Sequence, residues 1–137
     1  MSYAMAVALQ AAIHARLSGD GDLSAAVGGA IHDAAPPADM RGTHVLIGAE
    51  EALDRSDKSR GGAEHRLVIS VISDAAGFLQ AKQAAVRISD LLAGADLALS
   101  RGRLVGMWFD RAEARRLQGG RVRRIDLRFR ARVEDDG

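Results

Sequence analysis

The chain has 137 residues and no cysteine, and its 19 basic and 18 acidic side chains leave a formal net charge of +1. A chain of this length can bury one core without staples, which predicts a single domain spanning residues 1–137. Without cysteine, disulfides and thiolate metal sites are excluded. No apolar run is long enough to cross a membrane. The N-terminus lacks a secretory signal, which predicts synthesis in the cytoplasm.

The first predicted element is a helix over residues 2–17. Ser2 is a suitable N-cap, and apolar side chains recur at helical spacing from Met5 to Leu17. The glycines at positions 19 and 21 end this helix, and a short helical turn is predicted over residues 23–27.

Two short strands and a long loop are predicted next. Residues 30–32 predict an edge strand that ends before Pro36-Pro37, because proline cannot donate to a strand ladder. Residues 43–47 (Thr-His-Val-Leu-Ile) predict a second strand. Residues 49–63 are largely polar, so we expect a long loop that is functional or becomes ordered on binding.

The middle of the chain predicts a central strand followed by the second main helix. Residues 64–73 carry apolar side chains on both faces, which is typical of a strand inside a sheet. Residues 77–93 predict a helix whose apolar stripe consists of Phe78, Ala81, Ala85, Ile88 and Leu92, with Leu91 beside it.

Residues 103–134 predict a long β-hairpin with a turn at Gln118-Gly119-Gly120. The second strand alternates apolar and polar side chains, which means one packed face and one wet face. Its packed side chains are Ile125, Leu127, Phe129, Ala131 and Val133, opposite Val105, Met107 and Phe109. A three-residue turn predicts the pairs Val105–Val133, Met107–Ala131, Phe109–Phe129 and Asp110–Arg128.

The half of the hairpin beyond Phe109 is polar and is predicted to project from the body. Residues 101–137 carry a net charge of +5 and all eleven of their basic residues are arginine, whereas residues 1–100 carry −4. Arginine favours interfaces and bidentate recognition of carboxylate or phosphate. A solvated strand face is the alternative interpretation.

Taken together, the elements predict an α+β fold. It is a small, mainly antiparallel sheet with two main helices packed on one face and a long projecting C-terminal β-hairpin.

Recognised catalytic and metal-binding motifs are absent from the sequence. The four histidines (His14, His32, His44 and His65) lack metal-ligand spacing, which favours structural or surface roles. No serine-nucleophile or phosphate-loop motif occurs. The sequence therefore predicts neither an enzyme nor a cofactor site. Trp108 is interpreted as either a core residue of the second sheet face or an interface anchor.

The order of features from Ile31 to Val133 resembles the phage tail-completion (tail terminator) proteins. The matching segments are residues 31–36 (Ile-His-Asp-Ala-Ala-Pro), residues 43–48, the polar loop leading into residues 64–73, the helix with its Ala-Lys-Gln segment, and residues 96–99 leading into the hairpin that ends at residues 127–131 (Leu-Arg-Phe-Arg-Ala). The match spans about three quarters of the chain. Gene transfer agents and other phage-derived tail machines use the same parts.

The resemblance implies a structural subunit that forms a ring, usually a hexamer, on the end of a tail tube. The ring stops polymerisation of the tube and presents a surface to the head-side connector. The implied partners are further copies of the chain, the tail tube protein and the connector or stopper protein, with DNA only in transit through the lumen and no membrane. The implied location is the bacterial cytoplasm during assembly, then the tail of a phage or gene transfer agent particle.

Residues proposed for the partner interface are the hairpin arginines, acidic and basic side chains of the predicted loop, and the tryptophan. They are Arg115, Arg116, Arg123, Arg124, Asp54, Asp57, Lys58 and Trp108. The alternative function is a small nucleic-acid-binding module that uses the arginine-rich strand to neutralise phosphates. That strand lacks exposed aromatic side chains for base stacking.

Overall fold

Helices and strands follow one another along the chain in the predicted order. The structure is a computed structural model that describes residues 3–33, 41–57 and 61–135. The helices are α1 (Ala6–Ser18), α2 (Gly21–Val27) and α3 (Leu79–Leu92). The strands are β1 (Ile31–His32), β2 (Thr43–Asp54), β3 (Gly61–Ser73), β4 (Arg103–Leu117) and β5 (Val122–Asp135), with a 3₁₀ turn at Gln118–Gly120.

The described strands form one sheet in the order β1-β2-β3-β5-β4. β1 runs parallel to β2, and the other neighbours are antiparallel. α3 packs on β3, β5 and β4, and α1 and α2 pack against α3 and the β1–β2 side of the sheet. This arrangement confirms the predicted α+β class, the edge position of β1 and the central position of β3.

The core lies between the helices and one face of the sheet. α1 buries Leu9, Ile13 and Leu17. α3 buries the predicted stripe from Ala81 to Leu92 together with Ala84, whereas Phe78 precedes the helix as its N-cap and is only half-buried. Small alanine side chains on α3 allow its backbone to lie close to the sheet, so packing is dense there. On the sheet side, Phe129 is fully buried.

The ends of α1 and α2 differ from the prediction. α1 begins at Ala6, and Met5 occupies the N-cap position without a side-chain cap bond. Ser2, the predicted cap, lies outside the described residues, as do Pro36 and Pro37. α2 is a two-turn helix because the Asp20 side chain accepts a hydrogen bond from the Leu23 amide (2.9 Å) and satisfies an amide of the first turn.

The predicted long loop over residues 49–63 is wrong for most of its length. β2 continues to Asp54 and β3 begins at Gly61, and the two strands remain paired as far as Asp54 and Ala63. Between Ile47 and Glu50 the register shifts by one residue, which is a β-bulge. The bulge moves Glu50 onto the helix side of the sheet, so the apolar alternation that signals a strand is interrupted.

Two bulges also change the predicted hairpin register. The pairs Met107–Ala131 and Phe109–Phe129 are confirmed. The predicted pairs Val105–Val133 and Asp110–Arg128 are wrong. Bulges at Val105 and Asp110 instead pair Leu104 with Val133 and Arg111 with Arg128.

The bulge at Val105 also corrects the packed face of β4. Leu104 is 8% exposed and Val105 is 45% exposed, so leucine takes the core position predicted for valine. The turn is one residue longer than predicted, because Leu117 pairs with Val122. Gly119 and Gly120 have φ angles of +66° and +89°, which confirms that the turn uses left-handed glycine.

The C-terminal hairpin is present and long, and β5 is part of the sheet over nearly its whole length. β5 pairs with β3 from Arg123 to Asp135, so the hairpin turn is the part that extends past the end of β3. β4 carries exposed side chains on both faces from Asp110 to Arg116. Among the described helices, none buries this half of β4. Within the described ranges, no helix has both the length and the apolar character needed to span a membrane.

A candidate protein interface on the arginine-rich hairpin

The sheet face opposite the helices, called the open face, carries most of the hairpin arginines. Strand alternation places every second residue of β5 there, each beside a residue of β3 and a residue of β4. The β5 residues on the open face are Arg124, Asp126, Arg128, Arg130, Arg132 and Glu134. This face is therefore a charged surface, which fits a protein interface better than a continuation of the core.

Asp126 is the centre of a polar cluster on the open face. Its carboxylate accepts hydrogen bonds from Ser70 (2.6 Å), Arg124 (2.9 Å) and Arg115 (3.2 Å), and the residue is only 6% exposed. Burial raises the pKa of Asp126, but the hydrogen bonds from Ser70 and Arg124 and the charges of Arg124 and Arg115 outweigh burial and hold it below its usual value. The cluster thus ties β3, β5 and β4 together.

Arg115 and Arg124, two of the residues proposed for the partner interface, belong to this cluster. Both are bound to Asp126, and Arg124 also donates to Ser70 (3.2 Å). One signal for the cluster is visible in the sequence, an aspartate at position 126 inside a run of arginines. Its burial depends on Ser70, which is 56 residues away.

A second cluster on the open face surrounds Trp108. Arg130 lies over the Trp108 ring, with its guanidinium carbon 5.2 Å from the ring centroid, and donates to Asp110 (2.8 Å). The Asp110 charge raises the pKa of Arg130 further above its usual range, mainly through this hydrogen bond. Trp108 is 44% exposed, so it is not a core residue. An exposed ring under an arginine is consistent with the predicted interface anchor.

Three arginine pairs face each other directly across the two hairpin strands. They are Arg111–Arg128, Arg115–Arg124 and Arg116–Arg123. Like charges directly opposite are destabilising in a sheet, and Asp126 neutralises only the middle pair. Arg116 lies over the Phe78 ring at 5.3 Å. In the described part of the chain, Arg111 and Arg128 have no ion-pair partner.

The predicted acidic partners lie at the other end of the sheet. Asp54 pairs with Ala63 at the end where β5 finishes, whereas Arg116 pairs with Arg123 where β5 begins. Asp54 accepts hydrogen bonds from the Ser56 hydroxyl (2.6 Å) and amide (3.0 Å), which lower the pKa of its carboxyl group. Asp57 follows β2, and Lys58 lies outside the described residues. One subunit therefore keeps Arg116 and Arg123 apart from Asp54.

A polar contact between β3 and β2, which the sequence did not reveal, lies just beyond the β2 bulge. His65 is fully buried, and its Nδ1 lies 3.1 Å from Glu50 Oε2. The Tyr3 hydroxyl donates to the other Glu50 oxygen, and the Tyr3 ring stacks on His65 with centroids 5.9 Å apart. A groove of about 590 Å³ between α1 and β1 opens beside Glu50.

The remaining histidines are not arranged as a metal site. His44 is buried beside His32, with ring centroids 6.2 Å apart, and burial together with the neighbouring His32 lowers its pKa. In residues 3–33, 41–57 and 61–135, no three histidine, cysteine, aspartate or glutamate side chains converge on a position that could hold a metal ion.

Comparisons with known proteins identify the family of the chain and a similar solved structure. Residues 11–134 match the family described as tail completion protein gp17. A solved chain from the virion of a native gene transfer agent particle is 59% identical, with a TM-score of 0.91 over 97% of this chain and 99% of that chain. No curated protein is significantly similar.

Proposed function

Because the chain belongs to the tail completion protein gp17 family, we propose that it is a structural tail protein that forms a ring on the end of a tail tube. The ring terminates polymerisation of the tube and offers a joining surface to the head side. The observation that carries this proposal is the 59% identity, over nearly the full length of both chains, to a chain of a gene transfer agent virion.

The charge distribution supports a role in assembly. The hairpin concentrates arginine on β4 and β5, while Glu50, Glu51 and Asp54 lie on β2 at the opposite side of the sheet. Two different, oppositely charged surfaces on one subunit favour head-to-tail contacts, and such contacts close into rings when the rotation between copies permits. The proposed partners are further copies, the tail tube protein and a head-side connector or stopper, with DNA passing only through the lumen.

A structural role rather than catalysis is proposed for the clusters described above. The Asp126 cluster holds strands together, and Glu50 is held in place by the fully buried His65 and by the Tyr3 hydroxyl. The proposed location is the cytoplasm of the producing bacterium during assembly and then the tail of a phage or gene transfer agent particle.

Electron microscopy of the purified protein, alone and with its tail tube protein, tests the proposal. We expect rings of one uniform diameter, free or on the ends of tubes, and tubes whose length stops increasing when the protein is added. Sedimentation over a wide concentration range measures the same self-association. A protein that stays monomeric under all these conditions and leaves tube growth unchanged would overturn the proposal.

A further inference from the structure

We propose that neighbouring copies join edge to edge, with residues 108–112 of β4 in one copy pairing antiparallel to residues 50–54 of β2 in the next, so that Arg111 lies opposite Glu51. This inference rests on the proposed function, because a ring requires a repeated contact between subunits. It adds the surfaces that make the contact and the charges that select them.

The outer edge of β4 is the first of the two surfaces. β4 is the last strand on its side of the sheet. Near its start, the Met107 carbonyl accepts a hydrogen bond from the Gly94 amide (2.8 Å), so that part of the edge is covered. In the described chain, no element pairs with the outer side of residues 108–117. Unpaired strand edges of this length are templates for strand addition.

The outer edge of β2 is the second surface. β1 pairs with β2 only at Val45 and Leu46. Among the described residues, no strand pairs with the outer side of residues 50–54. The Glu51 side chain is 64% exposed, and its described contact is a 3.7 Å approach to Arg66.

The direction of the strands suits a head-to-tail contact. Three successive antiparallel steps, from β2 to β3, to β5 and to β4, leave β2 and β4 antiparallel within one subunit. When the next copy is placed beside β4 without being turned over, its β2 therefore runs antiparallel to β4. The helices of both copies then lie on the same side of one continuous sheet, as a cyclic assembly requires.

The charges favour this pairing over other edge contacts. Arg111 lies on the open face opposite Arg128, and Glu51 lies on the same face because it pairs with Arg66. A carboxylate from the next copy beside Arg111 would offset the repulsion between Arg111 and Arg128 and form a charge-assisted hydrogen bond. Ala112 and Ala114 leave room on the helix side of the edge.

Charge reversal tests the contact without damaging the subunit. Arg111→Glu places a carboxylate opposite Arg128, so the monomer should melt at the wild-type temperature or higher. Self-association measured by sedimentation, alone and with tube protein, should weaken at least about tenfold. Glu51→Arg should weaken it similarly, and the double variant Arg111→Glu/Glu51→Arg should restore it. Arg41→Glu, an exposed change of the same charge away from both edges, is the matched control and should have no effect.

The outcomes separate this inference from the proposed function. If the wild type forms rings and either single variant assembles equally well, the edge contact is wrong and the ring proposal stands. Failure of the double variant to restore assembly also overturns the contact. A wild type that never assembles overturns both. Hydrogen exchange gives an independent readout, because amides in residues 108–112 and 50–54 should gain protection together only in the assembled protein.

Discussion

Phe129 shows how a single side chain supports the fold at the residue scale. It is fully buried, and its ring meets the edge of Phe109 with centroids 5.7 Å apart. We expect Phe129→Ala to lower the free energy of unfolding by roughly 3–5 kcal/mol, the usual range for removing a buried phenylalanine. Chemical denaturation monitored by circular dichroism measures the change.

Phe109→Ala is the matched control for this prediction. Phe109 is 42% exposed, so its removal should cost clearly less than that of Phe129. Equal effects of the two substitutions, or a wild-type unfolding free energy for Phe129→Ala, would contradict the assignment of the packed strand face.

Replacing Asp126 should have a pH-dependent effect on stability, because its carboxylate binds Arg115 and Arg124. Asp126→Asn should lower the free energy of unfolding at pH 7 by roughly 1–3 kcal/mol, the range for a hydrogen bond to a charged group. Since the folded pKa of Asp126 lies below its usual value of 3.8, this stabilisation is present above pH 3.8 and is lost as the pH falls through the folded pKa. Unfolding measured from pH 7 downward should therefore show the two proteins converging in acid. Parallel curves would contradict the role of the carboxylate.

At the element scale, the ion pair between Asp20 and Arg87 connects α2 to α3. Asp20 caps α2 and accepts two hydrogen bonds from Arg87 of α3 (2.8 and 2.6 Å). The hydrogen bond from Arg87, together with the Leu23 amide, lowers the pKa of Asp20 to about 2. The contribution of Asp20 to stability is therefore present above pH 3.8 and is lost as the pH falls to about 2.

Asp20→Asn tests this tie, because asparagine keeps the helix cap and removes the charge. The thermal midpoint should fall at pH 7, and the difference from wild type should disappear near pH 2. Asp96→Asn, an exposed neutralisation in the α3–β4 connection, should leave the midpoint unchanged. A difference for Asp20→Asn that persists undiminished at low pH would show that the cap, not the ion pair, is responsible.

On the scale of the whole molecule, the choice is between assembly and nucleic-acid binding. Arg116 and Arg123 face each other and do not hold Asp126, so Arg116→Ser/Arg123→Ser should leave the subunit folded. Its main cost within the subunit should be the contact of Arg116 with the Phe78 ring, about 0.5–1 kcal/mol. Arg115 and Arg124 are unsuitable for this purpose because their loss would leave Asp126 without its arginines. If the hairpin serves assembly, the double variant should dock more weakly to neighbours or partners.

Duplex DNA binding distinguishes the two functions. We expect no appreciable binding of wild-type protein at physiological salt, because carboxylates neutralise several arginines of the hairpin and Arg130 already occupies the Trp108 ring. A phosphate-binding strand would instead lose affinity steeply with salt, and the double variant would reduce that slope by about one unit per lost contact. Tight, salt-sensitive binding by a monomer would favour the nucleic-acid module.

The sequence by itself determined the element order, the buried faces of α1, α3 and β5, and the glycine turn of the hairpin. These features depend on local periodicity and on backbone preferences, which neighbouring residues specify. The alternation from Ile125 to Val133 was sufficient to assign every side chain of that strand to a face. The order of segments was also sufficient to indicate the family.

Only the tertiary structure decided the bulges in β2 and β4, the length of β2 and the burial of Asp126. Each of these depends on partners distant in sequence: Glu50 is held by Tyr3 and His65, and Asp126 by Ser70. A bulge reverses which side chains face the core, so the polar stretch after Ile47 looks like a loop until its pairing with β3 is known. Cross-strand pairing also decides which arginines are already neutralised within the subunit, and hence which remain for a partner.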